Sequence, residues 1–131
     1  MLIVVDHNSG VPVFRQIIEQ VRFHVASGLL MPGDELPSTR GLSQELGVNP
    51  MTVSKAYSLL EQNGLVERRP GLPLVVRSRT ADAVEGERLT HLRVALEPAR
   101  RVARQLGISP TEAASAFRAL LEATSPTEDD K

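Results

Sequence analysis

The chain has 131 residues, 41% of them hydrophobic and 24% charged, with a net charge of −1 and no cysteine. This length holds one small domain with an appendage, and the missing cysteines exclude a disulfide framework and any thiolate metal site. The near-neutral balance excludes a globally basic nucleic-acid binder, and 3% aromatic content means that any core must be aliphatic.

The stretch from Met1 to Val5 is too short, and lacks the basic flank, for a signal peptide, so residues 2–6 read as a short strand or extended arm. With no stretch near the length of a membrane span, a cytoplasmic protein without membrane contact is expected. After the Asn8-Ser9-Gly10 turn, Pro12 opens a helix. Phe14, Ile17, Ile18, Val21 and Val25 form one apolar face, and Ser27-Gly28 ends it. Ser38 is placed to N-cap a short second helix through Leu42 and Leu46, ending at Gly47. Asn49 N-caps a third, with Pro50 at its first position and Val53, Ala56, Leu59 and Leu60 as its buried face, ending at Gly64. Two helices joined by a turn of about three residues containing glycine make a helix-turn-helix.

Leu65–Arg69 and Leu74–Arg77 predict two strands around Pro70-Gly71-Leu72-Pro73, a β-hairpin wing whose ladder is limited by proline at both shoulders. Residues 78–82 mark a boundary, giving domains 1–78 and 79–131. Residues 1–79 carry eight Lys/Arg and seven Asp/Glu (+1), and residues 80–131 seven and nine (−2). Local positive charge gathers at Arg68, Arg69, Arg77 and Arg79, which matters more for a DNA face than the total. A long helix follows. Its Leu89, Leu92, Leu96, Ala99, Ala103 and Leu106 alternate spacings of three and four as an a/d seam, with a kink expected at Pro98. Gly107 ends it, and Ser109-Pro110-Thr111-Glu112 is a capping box for a last helix with the stripe Ala113, Phe117, Leu120 and Leu121. From Thr124 the chain is acidic and expected to fray. The fold class is therefore mainly α with a small β wing: a winged helix-turn-helix plus a two-helix dimerisation hairpin.

From Pro12 to Val76 the sequence resembles the GntR family of bacterial regulators. Leu36-Pro37-Ser38-Thr39-Arg40-Gly41-Leu42 matches that family's Leu-Pro-Ser-x-Arg-x-Leu opening of the second helix. Val48 to Tyr57 is similar to the recognition helix of its YtrA-like branch, as is the lead-in Asp6-x-x-Ser9-x-x-Pro12. Gly28-x-Leu30-x-Pro32-Gly33 and Leu60-Glu61-x-x-Gly64-Leu65 also fit. The short C-terminal remainder resembles the same branch, whose tail serves for dimerisation, and it is too small for a conventional ligand pocket within one chain.

In a helix-turn-helix the N-terminal end of the recognition helix enters the major groove. Asn49, Pro50, Met51, Thr52, Ser54 and Lys55 lie at or near that end. Hydroxyls of Thr52 and Ser38 can donate to phosphates, Lys55 can reach a phosphate or a guanine edge, and Met51 touches a thymine methyl or simply lies exposed. Taken alone, Arg40 reads as a solvated surface arginine; the resemblance implies that it reads a base, a guanine through its bidentate fork. Gly71 sits where the family nears the minor groove, although Leu72 and Pro73 depart from the family pattern there. Arg68 and Arg69 either attract phosphates or guard a strand edge. Tyr57 is read as a half-buried core residue.

The seam packs on the chain's own last helix, on a second subunit, or on both together, and the last is favoured because two helices alone bury too little. The reading is thus a homodimeric repressor of a neighbouring operon, in this branch often a transporter operon, bound to an inverted-repeat operator. No cofactor is expected, and no residue constellation names a small effector. His7, His24 and His91 lack ligand-like spacing, so no metal is expected. A winged-helix protein-interaction module is the alternative, but it would not need Arg40, Thr52 and Lys55 on one face. No phosphate loop, nucleophile elbow or paired carboxylates suggest an enzyme.

Overall fold

The computed structural model describes residues 2–123; the expected frayed tail from Thr124 lies outside them. Packing divides the chain into two compact units, Met1–His91 and Leu92–Lys131.

The first unit is built on three helices. In α1 (Val13–Ser27), Ile17 and Val21 are fully buried, with Phe14, Ile18 and Val25 packed at the rim of the same core. Pro12 stands just outside the first turn, its fixed φ setting the entry, and its carbonyl accepts from the Arg15 and Gln16 amides. In α2 (Thr39–Leu46), the Ser38 hydroxyl accepts from the Gly41 amide at 2.9 Å. In α3 (Pro50–Gln62), the Asn49 side chain accepts from the Met51 amide at 2.8 Å. Each side chain satisfies one of the orphan donors of its helix. Between α2 and α3, Gly47 takes φ +68°, a left-handed conformation open to glycine at no steric cost. Leu42, Val53, Ala56 and Leu60 close the core beneath this turn. Each fully buried Ile, Val or Leu contributes about 1.5–3 kcal/mol.

The wing strands are shorter than the sequence suggests: β1 (Val66–Glu67) and β2 (Val75–Val76), antiparallel, with Val66 opposite Val76 and Glu67 opposite Val75. One further bond, from the Arg77 amide to the Leu65 carbonyl, extends the ladder at its base. Proline at 70 and 73 stops it at the tip. The other edge of β2 is not free. The Leu36 amide donates to Leu74, the Val76 amide to Asp34 and the Gly33 amide to Val76, with a bridge between Glu35 and Val75. The segment before α2 thus supplies a third row that the sequence reading treated only as turn and extended chain.

Residues 2–6 form the extended arm, not a strand, and their backbone partners are side chains of α1. Gln20 exchanges two hydrogen bonds with the amide and carbonyl of Val4, at 2.9 and 2.6 Å. Gln16 does the same with Asp6, both at 2.9 Å, and a His24 ring nitrogen lies 2.8 Å from the Leu2 carbonyl oxygen. Residues 16, 20 and 24 fall on one helix face, four apart, and so meet alternate residues of the arm. Ile3, pointing the other way, is buried in the core.

The helix α4 (Ala81–Gln105) runs continuously through Pro98. Its opening turns belong to the first unit. Glu87 pairs with Arg22 at 3.5 Å, and the His91 ring meets Phe23 edge-on, with centroids 5.5 Å apart. The second unit contains the rest of α4 and α5 (Pro110–Glu122), which opens on the expected capping box between Ser109 and Glu112. No described residue of α4 or α5 is buried. Among the described residues, no helix is long and apolar enough to cross a membrane.

Candidate nucleic-acid interface

The N-terminal end of α3 is open to solvent. Asn49, Pro50, Met51, Ser54 and Lys55 are exposed and Thr52 is half-buried, while Val53, Ala56 and Tyr57 turn inward. Met51 is 76% exposed, high for an apolar side chain that no packing requires there. Capping leaves useful donors behind. The Ser38 oxygen accepts from Gly41 while its own hydroxyl hydrogen stays available, and the Asn49 amide group keeps its two N–H donors. A phosphate at this end would also meet the positive pole of the helix.

The two helices are held in register by Tyr57, whose hydroxyl donates to the Pro37 carbonyl at 2.8 Å. This bond fixes the residue just before Ser38 against the middle of α3, and so brings the start of α2, with Ser38 and Arg40, alongside the recognition helix. Burial pushes the Tyr57 phenol well above its usual range, and the Glu45 carboxylate adds to the effect. Arg40 lies exposed in the first turn of α2, and among the described residues its guanidinium makes no ion pair or hydrogen bond. An arginine whose fork is uncommitted can meet a guanine edge without first breaking a contact.

Lys55 is committed. Its ammonium sits 4.0 Å from the centroid of the Phe14 ring, which the Arg15 guanidinium also approaches at 5.9 Å. Sequence reasoning assigned Phe14 to packing alone. Nothing local in the sequence announces the pair, because the two residues are 41 apart and meet only once α1 packs on α3.

On the wing, Arg68, Arg69 and Gly71 are exposed. Gly71 has φ +72° and follows Pro70, and the Leu72 amide donates to the Arg69 carbonyl at 3.0 Å, the pattern of a type II turn that needs glycine at its third position. An added Cβ at Gly71 would meet nothing within 4 Å, so the backbone here is accessible. The wing arginines are balanced by acids. Arg69 and Arg77 share Glu67 at 3.0 and 3.4 Å, and Arg68 faces Glu61 at 3.8 Å. These exposed pairs contribute little, about 0–1 kcal/mol each, and a phosphate can displace the carboxylate.

Of the residues expected to form the dimer seam, all but Leu106, which follows α4, lie on α4 and α5. Ala99, Leu106, Leu120 and Leu121 are exposed, Leu89 and Leu92 are 42% and 41% exposed, and Leu96, Ala103 and Phe117 are half-buried. Most of the seam thus stays open to solvent within one chain. The histidines act separately: His24 ties down the arm and His91 packs on Phe23. Among the described residues no cluster of His, Asp or Glu could hold a metal ion.

Residues 14–76 match the family described as bacterial regulatory proteins, gntR family. The HTH-type transcriptional repressor YtrA of Bacillus subtilis (strain 168) is 43% identical over 70 residues, covering 53% of this chain and 54% of that protein. The HTH-type transcriptional regulator YhcF of the same organism is 30% identical over 114 residues, covering 87% and 93%. The chain therefore spans about half the length of the first and nearly all of the second. Among solved structures, YtrA from Sulfolobus acidocaldarius, a GntR-family transcription factor, superposes with a TM-score of 0.56 at 34% identity over 91% of this chain and 96% of that one. Likeness that runs past the winged helix-turn-helix and through the C-terminal helices shows that the chain belongs to the GntR family of DNA-binding transcriptional regulators.

Proposed function

We propose that the protein is a homodimeric repressor that reads an inverted-repeat operator, residues 1–78 binding DNA and residues 79–131 joining two copies. The observation that carries the DNA half is the solvent-facing N-terminus of α3 beside an Arg40 whose guanidinium is unengaged. Ser38, Asn49, Thr52, Ser54 and Lys55 meet phosphates and base edges, Pro50 and Met51 lie against the groove floor, and Arg68, Arg69 and Gly71 approach the neighbouring backbone. The exposed leucines of α4 and α5 support the second half: a second copy of the chain covers the part of the seam that stays open in one chain. Such a dimer would set two recognition helices about 34 Å apart, or a multiple of that, on successive turns of the duplex. The Bacillus YtrA is a transcriptional repressor, which supports repression as the sign of regulation. Acting on operator DNA, the protein would work in the cytoplasm.

Selection of bound sites from random duplex DNA, at low and high salt, tests this reading. An enriched inverted repeat is the expected result, with affinity falling steeply as salt rises. Enrichment of a single half-site would refute the dimer, and salt-sensitive binding without enrichment would refute sequence reading.

A further inference from the structure

Below the wing lies a cleft away from the residues to which DNA contact was assigned above. It has a volume of about 560 Å³ and is floored by apolar side chains, among them Leu30, Val76 and Val84. Three arginines line it: Arg77 leaving the wing, Arg79 in the connection, and Arg88 in the second turn of α4. Two have acidic partners, Arg77 with Glu67 at 3.4 Å and Arg88 with Glu85 at 2.9 Å. The third has none. One end of the Arg79 guanidinium donates to the Ala83 carbonyl at 3.3 Å, while its other terminal nitrogen, Nη1, is buried and makes no hydrogen bond. Glu87, one residue before Arg88, is already paired with Arg22. The cleft therefore holds an uncompensated positive charge over an apolar floor, and a buried, unsatisfied donor is a costly feature to keep without purpose.

We propose that this cleft binds a small anionic amphiphile, a molecule with a carboxylate or phosphate-ester head and a short apolar body. The head accepts from Arg79 Nη1 and draws Arg88 away from Glu85; the body covers Leu30, Val76 and Val84. Both modes follow from ordinary pocket chemistry, in which apolar walls give affinity and a few polar groups fix orientation. The cleft is bounded by the end of α1, the end of β2 and the first turns of α4. A ligand seated there stiffens the junction where the wing hands over to α4, so occupancy is expected to alter operator affinity. That regulatory consequence rests on the DNA-binding reading above, but ligand binding itself does not.

The test uses the full-length protein and calorimetric titration with octanoate and octyl phosphate, with octanol and inorganic phosphate as controls. One or both anionic probes should bind at least tenfold more tightly than octanol and than inorganic phosphate, and Arg79→Gln and Arg88→Gln should each weaken them at least tenfold. Retained melting temperature and circular dichroism would show that both variants still fold. Equal binding of octanol would overturn the anion site, and binding unchanged in both variants would overturn the assigned arginines. If neither probe binds, the cleft is no such site. If the variants instead lose non-specific DNA affinity and no probe binds, the three arginines serve DNA phosphates. Operator titration with and without the better probe then checks regulation separately, and an unchanged operator affinity would remove regulation while leaving the site.

Discussion

The ammonium of Lys55 rests 4.0 Å from the centre of the Phe14 ring, so a residue of the first helix holds in place a cation of the third, at the end proposed to face DNA. A cation held over a ring has less freedom to lose on meeting a phosphate. Replacing Phe14 by Leu keeps the apolar contact and removes the ring face. The expected result is a two- to fivefold loss of operator affinity, matching about 0.5–1 kcal/mol, with Phe14→Tyr close to wild type. Operator titration checks this, and tighter binding by Phe14→Leu would mean that the ring competes with DNA for the lysine.

Arg40 has no side-chain partner to lose. Arg40→Ala is expected to leave the melting temperature unchanged and to reduce discrimination between operator and scrambled DNA by about 1–3 kcal/mol. Competition titrations with both duplexes measure the difference, and unchanged preference would remove the base-reading role.

Ser38 caps α2 and is proposed to contact DNA, and substitution can separate the two. Ser38→Ala loses the bond to the Gly41 amide and should cost about 1 kcal/mol of stability. Ser38→Asp keeps an acceptor for that amide, so stability should hold, but it sets a negative charge against the phosphate backbone and operator affinity should fall. Gly41→Ala should mimic the loss of the cap, because a Cβ there would lie 2.9 Å from the Ser38 oxygen. Denaturant melts and DNA titration on the three variants separate cap from contact.

Tyr57 makes stability depend on alkaline pH. Its folded form holds the phenolic proton far more tightly than the unfolded chain, which releases it near pH 10. The native state therefore binds more protons than the unfolded one above that point, and stability declines as pH rises through and beyond about 10. Tyr57→Phe should lose about 1 kcal/mol at neutral pH through the missing bond to Pro37 and should flatten this particular decline. Denaturant titrations of both proteins across that range would show it, and parallel curves would contradict the assignment.

The exposed seam carries the dimer reading. Leu92→Glu with Leu106→Glu is expected to yield a folded monomer whose operator affinity drops on the order of a hundredfold, since two half-sites are no longer bound together. Removing residues 92–131 should do the same while keeping the Glu87 and His91 contacts to α1. Sedimentation reads the first effect and operator titration the second; a variant that stays dimeric would place the interface elsewhere.

What could be read in advance was local. Ser38, Asn49 and Ser109 announce their helices because a cap needs only the residue and the next turn, and Gly47 and Gly71 announce their turns for the same reason. The apolar periodicity of α1 gave its buried face, Ile17 and Val21, without reference to the rest of the chain. Contacts between distant segments left no such mark. The third row of backbone bonds along β2 comes from residues 33–36, about 40 positions away, in a stretch that reads as proline-bounded loop. The Phe14–Lys55 pair and the arginine-lined cleft arise the same way, from three-dimensional proximity that periodicity cannot encode. The strands were read too long even with the two prolines taken as limits, because the ladder stops at Glu67 and Val75, short of both prolines.

The N-terminal arm has a thermodynamic consequence. Its backbone is bound by glutamine and histidine side chains, not by another strand, so releasing it costs α1 none of its own backbone ladder. The arm is thus a separable cooperative unit that opens at a free energy well below that of global unfolding. Amide hydrogens of Val4 and Asp6 will exchange with solvent together and early, while those of Val21 and Leu60 wait for the whole domain to open. Release of the arm would uncover part of the core through Ile3, giving the domain a sticky intermediate whose population is set by two glutamines.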